Sequence, residues 1–273
     1  MKIPFEDISI TLKSLRFTNT QNDLILFLHG FSGSSKDWEG VSNSIDIKFN
    51  LAALDLIGHG ESDSPAELFY YDTARILGMI KSAIRFFQKD KIILCGYSMG
   101  GRAALSFAVQ NPKMVKGLIL ESSTAGIINL NERKLRIQKD KELAQFILTH
   151  SIAEFVDYWM NLELFSSQKN LDKNILDEIR KLKRQNNPTG LANSLVGFGT
   201  GAMPPLFNEL GNLEIKTLLL TGELDSKFTF INQKMKKQLP SAQHFIIDGA
   251  GHNVHLENSK NFCETLNSFL FQL

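Results

Sequence analysis

Short apolar runs alternate with segments of helical periodicity along most of the chain. The apolar runs predict strands at Leu24–Leu28, Leu51–Leu54, Lys91–Cys95, Val115–Leu120, Lys216–Thr221 and Gln243–Ile247. Apolar residues at helical spacing predict helices at Phe69–Phe87, from the residues after Ser98 to Val109, at Phe228–Leu239 and at Glu257–Leu270. Continuous apolar strands separated by helices are typical of a mostly parallel sheet covered on both faces. The pattern therefore predicts an α/β fold.

The pattern changes between residues 122 and 205, where no strand-like run occurs. This part of the chain shows amphipathic helical spacing, interrupted at Asn129, Ser166-Ser167, Asn186-Asn187-Pro188 and Met203-Pro204-Pro205. Polar and proline clusters of this kind end helices. We therefore expect residues 1–121 and 206–273 to form the α/β core, and residues 122–205 to form a helical lid inserted into one crossover of the sheet.

Composition and charge exclude several classes of protein. Of the 273 residues, 43% are hydrophobic and 22% are charged, as in an ordinary globular protein, and the formal net charge is only +1. A near-neutral chain has no general attraction for nucleic acid or membranes. No apolar run approaches the roughly 20 residues that span a bilayer, and the N-terminus carries Glu6 and Asp7 where a signal peptide is apolar. We expect a cytoplasmic protein, and the sequence leaves its oligomeric state open.

The strongest chemical signal is Gly96-Tyr97-Ser98-Met99-Gly100, directly after the predicted strand Lys91–Cys95. In a strand–turn–helix context the G-x-S-x-G pattern forms a nucleophile elbow, which presents the serine hydroxyl above the sheet edge. The helix that follows directs its N-terminal dipole at the serine, which favours developing negative charge. Ser98 is therefore the candidate nucleophile or base.

A catalytic serine needs a base and a group that orients the base. Asp225 follows the predicted strand Lys216–Thr221 and His252 follows Gln243–Ile247, so both belong to the sheet edge that carries Ser98. His244 and His255 are the alternatives to His252, but His244 lies within a strand and His255 begins a helix. Asp248 is the alternative to Asp225. We predict a triad of Ser98, His252 and Asp225.

The loop after the first predicted strand is the candidate for the oxyanion hole. In this topology the loop supplies one backbone N–H group and the residue after the nucleophile supplies the other. The prediction assigns the N–H groups of Phe31 and Met99. His29 is expected to hold its loop by hydrogen bonds, and His59 to be structural.

Together these features resemble the α/β-hydrolase superfamily over essentially the whole chain: a mostly parallel central sheet flanked by helices, with an inserted helical lid. Six strings are similar to the 2-succinyl-6-hydroxy-2,4-cyclohexadiene-1-carboxylate synthase family of menaquinone biosynthesis. They are Phe27–Gly33, Gly96–Arg102, the spacing Glu132-Arg133…Arg136…Asp140, Arg184–Asn187, Gly222–Phe228 and Gly249–Asn253. The Gly-Tyr-Ser-x-Gly-Gly-Arg and Asp-Ser-Lys-Phe strings are the more specific ones.

The resemblance implies a lyase that eliminates pyruvate from an enolpyruvyl cyclohexene substrate with several carboxylates, using the triad as a general base without metal or organic cofactor. It implies that Arg102, Arg136 and Arg184 bind the carboxylates, since arginine offers bidentate geometry. It also implies that Tyr97 and Trp159 form pocket walls or donate hydrogen bonds. Replacement of Lys181 or Lys183, in the basic run beside Arg184, by alanine is expected to be nearly silent.

Two other functions remain open on the sequence. A serine ester or C–C bond hydrolase would use the same triad through an acyl-enzyme, and a non-catalytic ligand receptor would use the same fold without needing the triad. The charge of the pocket separates the first of these from the lyase, because a hydrolase of neutral esters has no use for three converging arginines.

Overall fold

The computed structural model describes all 273 residues. Its centre is an eight-stranded sheet in the order β1-β2-β4-β3-β5-β6-β7-β8. The strands are β1 (Lys2–Phe5), β2 (Ile8–Arg16), β3 (Leu24–Leu28), β4 (Asn50–Leu54), β5 (Ile92–Tyr97), β6 (Val115–Glu121), β7 (Thr217–Gly222) and β8 (Ala242–Ile247). The neighbours in the run β4-β3-β5-β6-β7-β8 are all parallel. The β1–β2 and β2–β4 pairs, at one edge of the sheet, are antiparallel. The predicted mostly parallel sheet is confirmed.

Ten α-helices connect and cover the strands. They are α1 (Glu39–Ser42), α2 (Thr73–Phe86), α3 (Met99–Gln110), α4 (Leu130–Thr149), α5 (Ile152–Met160), α6 (Lys173–Lys183), α7 (Pro188–Phe198), α8 (Ser226–Gln238), α9 (Val254–Glu257) and α10 (Ser259–Leu270). Each of the helices predicted outside residues 122–205 is present. The start of the predicted helix Phe69–Phe87 differs, because a short 3-10 turn covers Leu68–Tyr71 and the Asp72 side chain then caps α2.

The alternation of side chains along the buried strands divides the core into two layers. In β3, Leu24, Leu26 and Leu28 point to one face and join a cluster of 39 buried residues. Ile25 and Phe27 point to the other face and join a cluster of 22. Since successive side chains of a strand lie on opposite faces, an unbroken apolar run requires helices on both sides of the sheet.

The helices α4 to α7 all lie in the chain between β6 and β7, within the predicted helical insertion. They have a small core of their own, formed by Ala144, Ile147, Phe155, Val156, Leu191, Ala192 and Leu195. Gly190 of α7 approaches Gly58 of the loop after β4 so closely that a Cβ atom on Gly190 would lie 2.6 Å from the Gly58 Cα atom. We refer to residues 122–205 as the helical segment. Its exact bounds and its role as a lid stay predictions.

No helix has the length and apolar character needed to cross a bilayer.

Candidate active site

Ser98 lies at the tip of a strained turn between β5 and α3. Its backbone adopts φ +50°, a left-handed conformation that for a non-glycine residue costs about 1–3 kcal/mol. The Ser98 N–H group donates to the Glu121 carbonyl at 2.8 Å, which ties the turn to the end of β6. A Cβ atom on Gly96 would lie 2.4 Å from the Gly100 backbone, and one on Gly100 would lie 2.1 Å from the Leu28 carbonyl oxygen. Both glycines are therefore needed for the elbow.

The predicted triad residues are within hydrogen-bonding distance of one another. His252 Nε2 lies 3.1 Å from Ser98 Oγ, and His252 Nδ1 lies 2.6 Å from Asp225 Oδ2. The other Asp225 oxygen accepts a hydrogen bond from the Phe228 N–H group at 3.1 Å, where α8 begins. With the Nδ1 proton directed at Asp225, Nε2 accepts the proton of Ser98. This is the arrangement that activates a serine hydroxyl.

The alternative residues have other partners. His244 Nε2 lies 2.8 Å from Thr221 Oγ1, on the β7–β8 side of the sheet. His255 Nδ1 lies 2.7 Å from the buried carboxylate of Glu121, and the ring stacks on Trp38. Asp225, and not Asp248, contacts His252. The geometry therefore favours one triad.

Phe31 and Met99 both line the cavity in front of Ser98. Neither N–H group donates within the turns and loops of the protein, so both are available to a ligand. His29 holds this loop, since its Nδ1 lies 2.7 Å from the Gly30 carbonyl oxygen and its Nε2 accepts from the Leu56 N–H group at 3.0 Å. His29 thus has the loop-holding role predicted from the sequence.

The cavity has a volume of about 320 Å³, within the range of roughly 300–1,000 Å³ for small-molecule sites. Aromatic rings form much of its wall, and Phe228 and Phe165 lie 4.5 Å and 6.0 Å from the His252 ring. Trp159 lines the cavity with a buried indole N–H that has no partner in the protein. Burial raises the pKa of Tyr97 well above its ordinary value, so its phenol stays a hydrogen-bond donor at neutral pH.

Arg102 is a buried cation at the cavity wall without a carboxylate partner. It lies one turn into α3, and its guanidinium donates to the Phe198 carbonyl at 2.6 Å, with a longer contact of 3.6 Å to Met203 Sδ. Burial, with a smaller contribution from Arg136, lowers the pKa of Arg102 to about 9, so it remains charged at neutral pH. A buried guanidinium whose other N–H groups are free is suited to bind a carboxylate.

Arg136 of α4 lies in the same cavity wall. Its Nε donates to Asp140 Oδ1 at 2.8 Å, and its two terminal nitrogens have no partner in the protein. Asp140 is itself buried, and desolvation raises the pKa of its carboxyl group against the opposing effect of Arg136. The Arg136–Asp140 pair therefore positions a second guanidinium near Arg102.

Arg184 does not reach the cavity, contrary to the expectation that three arginines converge. It caps the end of α6 with a side chain that is 41% exposed, and it pairs with Asp157 of α5 at 3.1 Å. Lys183 points inward instead: it lines the cavity, and burial lowers the pKa of its ammonium group. Adjacent residues on a helix are separated by 100°, so the inward face of α6 includes Lys183 and excludes Arg184.

Several further cavity residues were not predicted from the sequence. The cations Lys36 and Lys227 line the same space, as do Gln168 and Phe165 from the 3-10 segment Glu163–Asn170. Lys227 had a signal, since it belongs to the Asp-Ser-Lys-Phe string. Lys36 and Gln168 have polar neighbours in the sequence, so nothing in the sequence distinguishes them from solvated surface residues. No group of three or more His, Cys, Asp or Glu side chains is arranged to hold a metal ion.

Comparison with known proteins is consistent with this geometry. The family model of the α/β hydrolase fold matches residues 23–259. The chain belongs to the α/β-hydrolase fold family. It is 41% identical to a putative 2-succinyl-6-hydroxy-2,4-cyclohexadiene-1-carboxylate synthase of Bacillus subtilis, over 91% of this chain and 90% of that protein. It is 30% identical to the synthase of that name from an Enterobacter species, over 86% of each chain.

Solved structures of other α/β hydrolases superimpose closely on this chain. The structure of MenH from S. aureus superimposes with a TM-score of 0.90 at 31% identity, over 96% of this chain and 98% of that one. A thermophilic esterase from Thermogutta terrifontis has a TM-score of 0.85 at 21% identity, and this likeness shows the fold alone. The predicted fold and family resemblance are confirmed, and the chain is an enzyme of the α/β-hydrolase fold.

Proposed function

We propose that this enzyme is a carbon–oxygen lyase of menaquinone biosynthesis. Its substrate would be 2-succinyl-5-enolpyruvyl-6-hydroxy-3-cyclohexene-1-carboxylate, and its products 2-succinyl-6-hydroxy-2,4-cyclohexadiene-1-carboxylate and pyruvate. The names of the Bacillus and Enterobacter relatives support the product. The proposed substrate carries three carboxylates on a compact ring, so the site that binds it must supply several cations.

The charge of the cavity is the observation that carries the proposal. One carboxylate, Asp37, lines the cavity, together with five cations: Lys36, Arg102, Arg136, Lys183 and Lys227. Arg102 in particular is buried with no carboxylate within ion-pair distance, because the nearby Asp140 pairs with Arg136, and an anionic ligand would relieve this unfavourable arrangement. A hydrolase of neutral esters gains nothing from such a wall. A polycarboxylate substrate accounts for it.

In the proposed mechanism the triad acts as a base. His252, oriented by Asp225, takes the Ser98 proton, and the serine oxygen removes the ring proton next to the succinyl carbonyl. The electron pair of that C–H bond forms an enolate, whose negative oxygen accepts hydrogen bonds from the Phe31 and Met99 N–H groups. The enolate then collapses through the ring double bond and breaks the C–O bond to the enolpyruvyl group, which leaves as the pyruvate enolate. No bond forms between Ser98 and the substrate.

The remaining wall residues would bind and orient the substrate. The guanidinium groups of Arg102 and Arg136 take two carboxylates, and Lys36 and Lys227 are available to the third. The unpartnered Trp159 indole N–H and the Tyr97 phenol donate to substrate oxygens. Arg184 has no role at the reacting centre in this arrangement, because it pairs with Asp157 outside the cavity.

Pyruvate release from the purified substrate tests the proposal. The enzyme should release one pyruvate per diene formed, and Ser98→Ala should lower kcat by at least about 10³-fold, within the range for loss of a general base. Substrate affinity should be retained, since the carboxylate contacts remain. A Ser98→Ala variant with a tenth of the wild-type rate would remove Ser98 from the mechanism.

Intact-mass measurement during turnover separates the lyase from a serine hydrolase. Rapidly quenched wild-type enzyme should carry no adduct on Ser98. A succinyl-type adduct that forms and decays at the rate of turnover would instead identify an acyl-enzyme hydrolase.

A further inference from the structure

The turn that carries the Phe31 N–H group has a conformation that its sequence disfavours. The Gly33 N–H group donates to the Gly30 carbonyl at 3.0 Å, so residues 30–33 form a β-turn. Ser32, the third residue of this turn, has φ +61°. Turns with a positive φ at this position favour glycine or asparagine, which tolerate it better than serine does. Ser32 is buried, so other contacts must hold it there.

Two side chains at the end of α6 hold Ser32 in this conformation. Asn186 Nδ2 donates to the Ser32 carbonyl oxygen at 3.0 Å, and Lys183 Nζ donates to Ser32 Oγ at 3.0 Å. The Asn186 Oδ1 atom accepts from the Gly60 N–H group at 3.1 Å, and Asn186 is buried. One asparagine therefore connects the helical segment, the Gly30–Gly33 turn and the loop after β4.

We propose that Asn186 and Lys183 are positioning residues for the oxyanion hole. They hold the Gly30–Gly33 turn in its left-handed form and so direct the Phe31 N–H group at the oxygen that becomes negative. Oxyanion stabilisation depends on donors that are already in place before charge develops. The contacts that hold the α6 end against the core are then also the contacts that support the oxyanion hole. This inference rests on the Phe31 assignment of the proposed function, and not on the identity of the substrate.

A substrate-independent reaction of Ser98 provides the test. With phenylmethanesulfonyl fluoride the Ser98 Oγ–S bond forms, fluoride leaves and the hydroxyl proton passes to His252, while charge develops on a sulfonyl oxygen. Intact-mass measurement gives the rate of labelling.

Asn186→Ala should slow this labelling by about 10-fold, less than the roughly 10²–10³-fold for a donor that is removed outright. Asn193→Ala is the matched control, because Asn193 also joins the helical segment to a core loop, at Pro65 and Ala66, away from the turn. It should label within about twofold of wild type.

Glycine at position 32 separates positioning from general support of the fold. If Asn186 holds Ser32 in its left-handed conformation, Ser32→Gly removes the strain and the need for that support. The double variant Ser32→Gly/Asn186→Ala should therefore be labelled within about threefold of the rate of Ser32→Gly alone. A loss in Asn186→Ala that Ser32→Gly does not restore would overturn the proposal, as would an Asn186→Ala rate within twofold of wild type.

Lys183→Met provides an independent arm if Asn186→Ala does not fold. It should slow labelling in the wild-type background and have no effect in the Ser32→Gly background, where its acceptor is absent. Lys181→Met, on the exposed side of α6, is the control. Equal effects of Lys183→Met in both backgrounds would contradict the proposal.

Kinetics on the enolpyruvyl substrate distinguish a failure of the positioning role from a failure of the proposed lyase function. On the enolpyruvyl substrate, Asn186→Ala should lower kcat and leave KM nearly unchanged, since the donor acts on charge that develops in the transition state. If wild-type enzyme releases no pyruvate, the proposed function fails, and the labelling series still decides whether Asn186 and Lys183 position the turn.

Discussion

At the scale of single residues, the buried guanidinium of Arg102 is the most informative group in the cavity. A charge held in a protein interior is normally paired, and Arg102 has only a backbone carbonyl and a thioether as partners. The Phe198 ring lies under the guanidinium at 5.0 Å, and this cation–π contact offsets part of the cost of burying the charge. The group is ready to bind an anion before the anion arrives.

Replacement of Arg102 tests this directly. Arg102→Ala should lower kcat/KM on the enolpyruvyl substrate by about 10–150-fold, which corresponds to the roughly 1.5–3 kcal/mol of a hydrogen bond to a charged group. Arg102→Lys should recover only part of the loss, because an ammonium group cannot form a bidentate pair. Lys181→Ala, a surface cation, should stay within about twofold of wild type. Equal activity of all three variants would contradict a polyanion site.

The sequence indicates where a residue lies when its position follows from the end of a strand. Ser98, Asp225 and His252 each follow a parallel strand, and parallel strands bring their carboxyl ends to one edge. The cavity cations depend on which face of a helix turns inward, and for α6 the local pattern is ambiguous. Arg180, Lys181, Lys183 and Arg184 are all basic, so composition alone does not reveal that Lys183 is the one that points inward.

At the scale of elements, the contact between α5 and α6 explains where Arg184 goes. Asp157 of α5 accepts from Arg184 at 3.1 Å and also lies 3.3 Å from the Arg180 Nε atom. These side chains are between 35% and 52% exposed, so the pairing joins the two helices at the surface. Water screens such pairs, and they contribute about 0–1 kcal/mol to stability.

We therefore expect Arg184→Ala to have small effects. It should change kcat/KM by less than about threefold and the free energy of unfolding by less than about 1 kcal/mol. Arg180→Ala, in the same pairing, is the matched control, and urea unfolding with steady-state kinetics gives both quantities. A loss above tenfold for Arg184→Ala alone would show that the end of α6 turns during the reaction and brings Arg184 to the substrate.

The bounds of the parallel strands were predicted to within one or two residues, whereas the antiparallel edge of the sheet was missed. The strand β3 coincides with the predicted Leu24–Leu28, and all five of its residues are buried. The antiparallel strands β1 and β2 were not predicted. The sequence of β2 does alternate, with apolar Ile8, Ile10 and Leu12 separated by polar Ser9 and Thr11, so it carried a strand signal that the prediction missed.

At the scale of the whole molecule, the charge is nearly balanced and yet unevenly distributed. The net charge is +1 for the chain, whereas the cavity wall holds five cations and one carboxylate. The other acidic residues lie outside the cavity wall, and several of them form exposed ion pairs with surface cations. A ligand that enters the cavity therefore meets an excess of cations, whose charge water screens less there than at the surface.

This distribution predicts that small polycarboxylates stabilise the folded protein through the cavity. Propane-1,2,3-tricarboxylate at about 100 times its Kd should add about 2.7 kcal/mol to the free energy of unfolding, a rise in Tm of about 5 °C or more. Its neutral trimethyl ester has nearly the same shape and should leave Tm unchanged.

Arg102→Ala should reduce the shift produced by the tricarboxylate, because the variant loses a buried cation of the binding wall. Sulfate at matched ionic strength controls for general salt effects, since a single small anion cannot contact several wall cations at once. Equal shifts from tricarboxylate and sulfate, unchanged in Arg102→Ala, would mean that the cavity cations do not act together on one ligand.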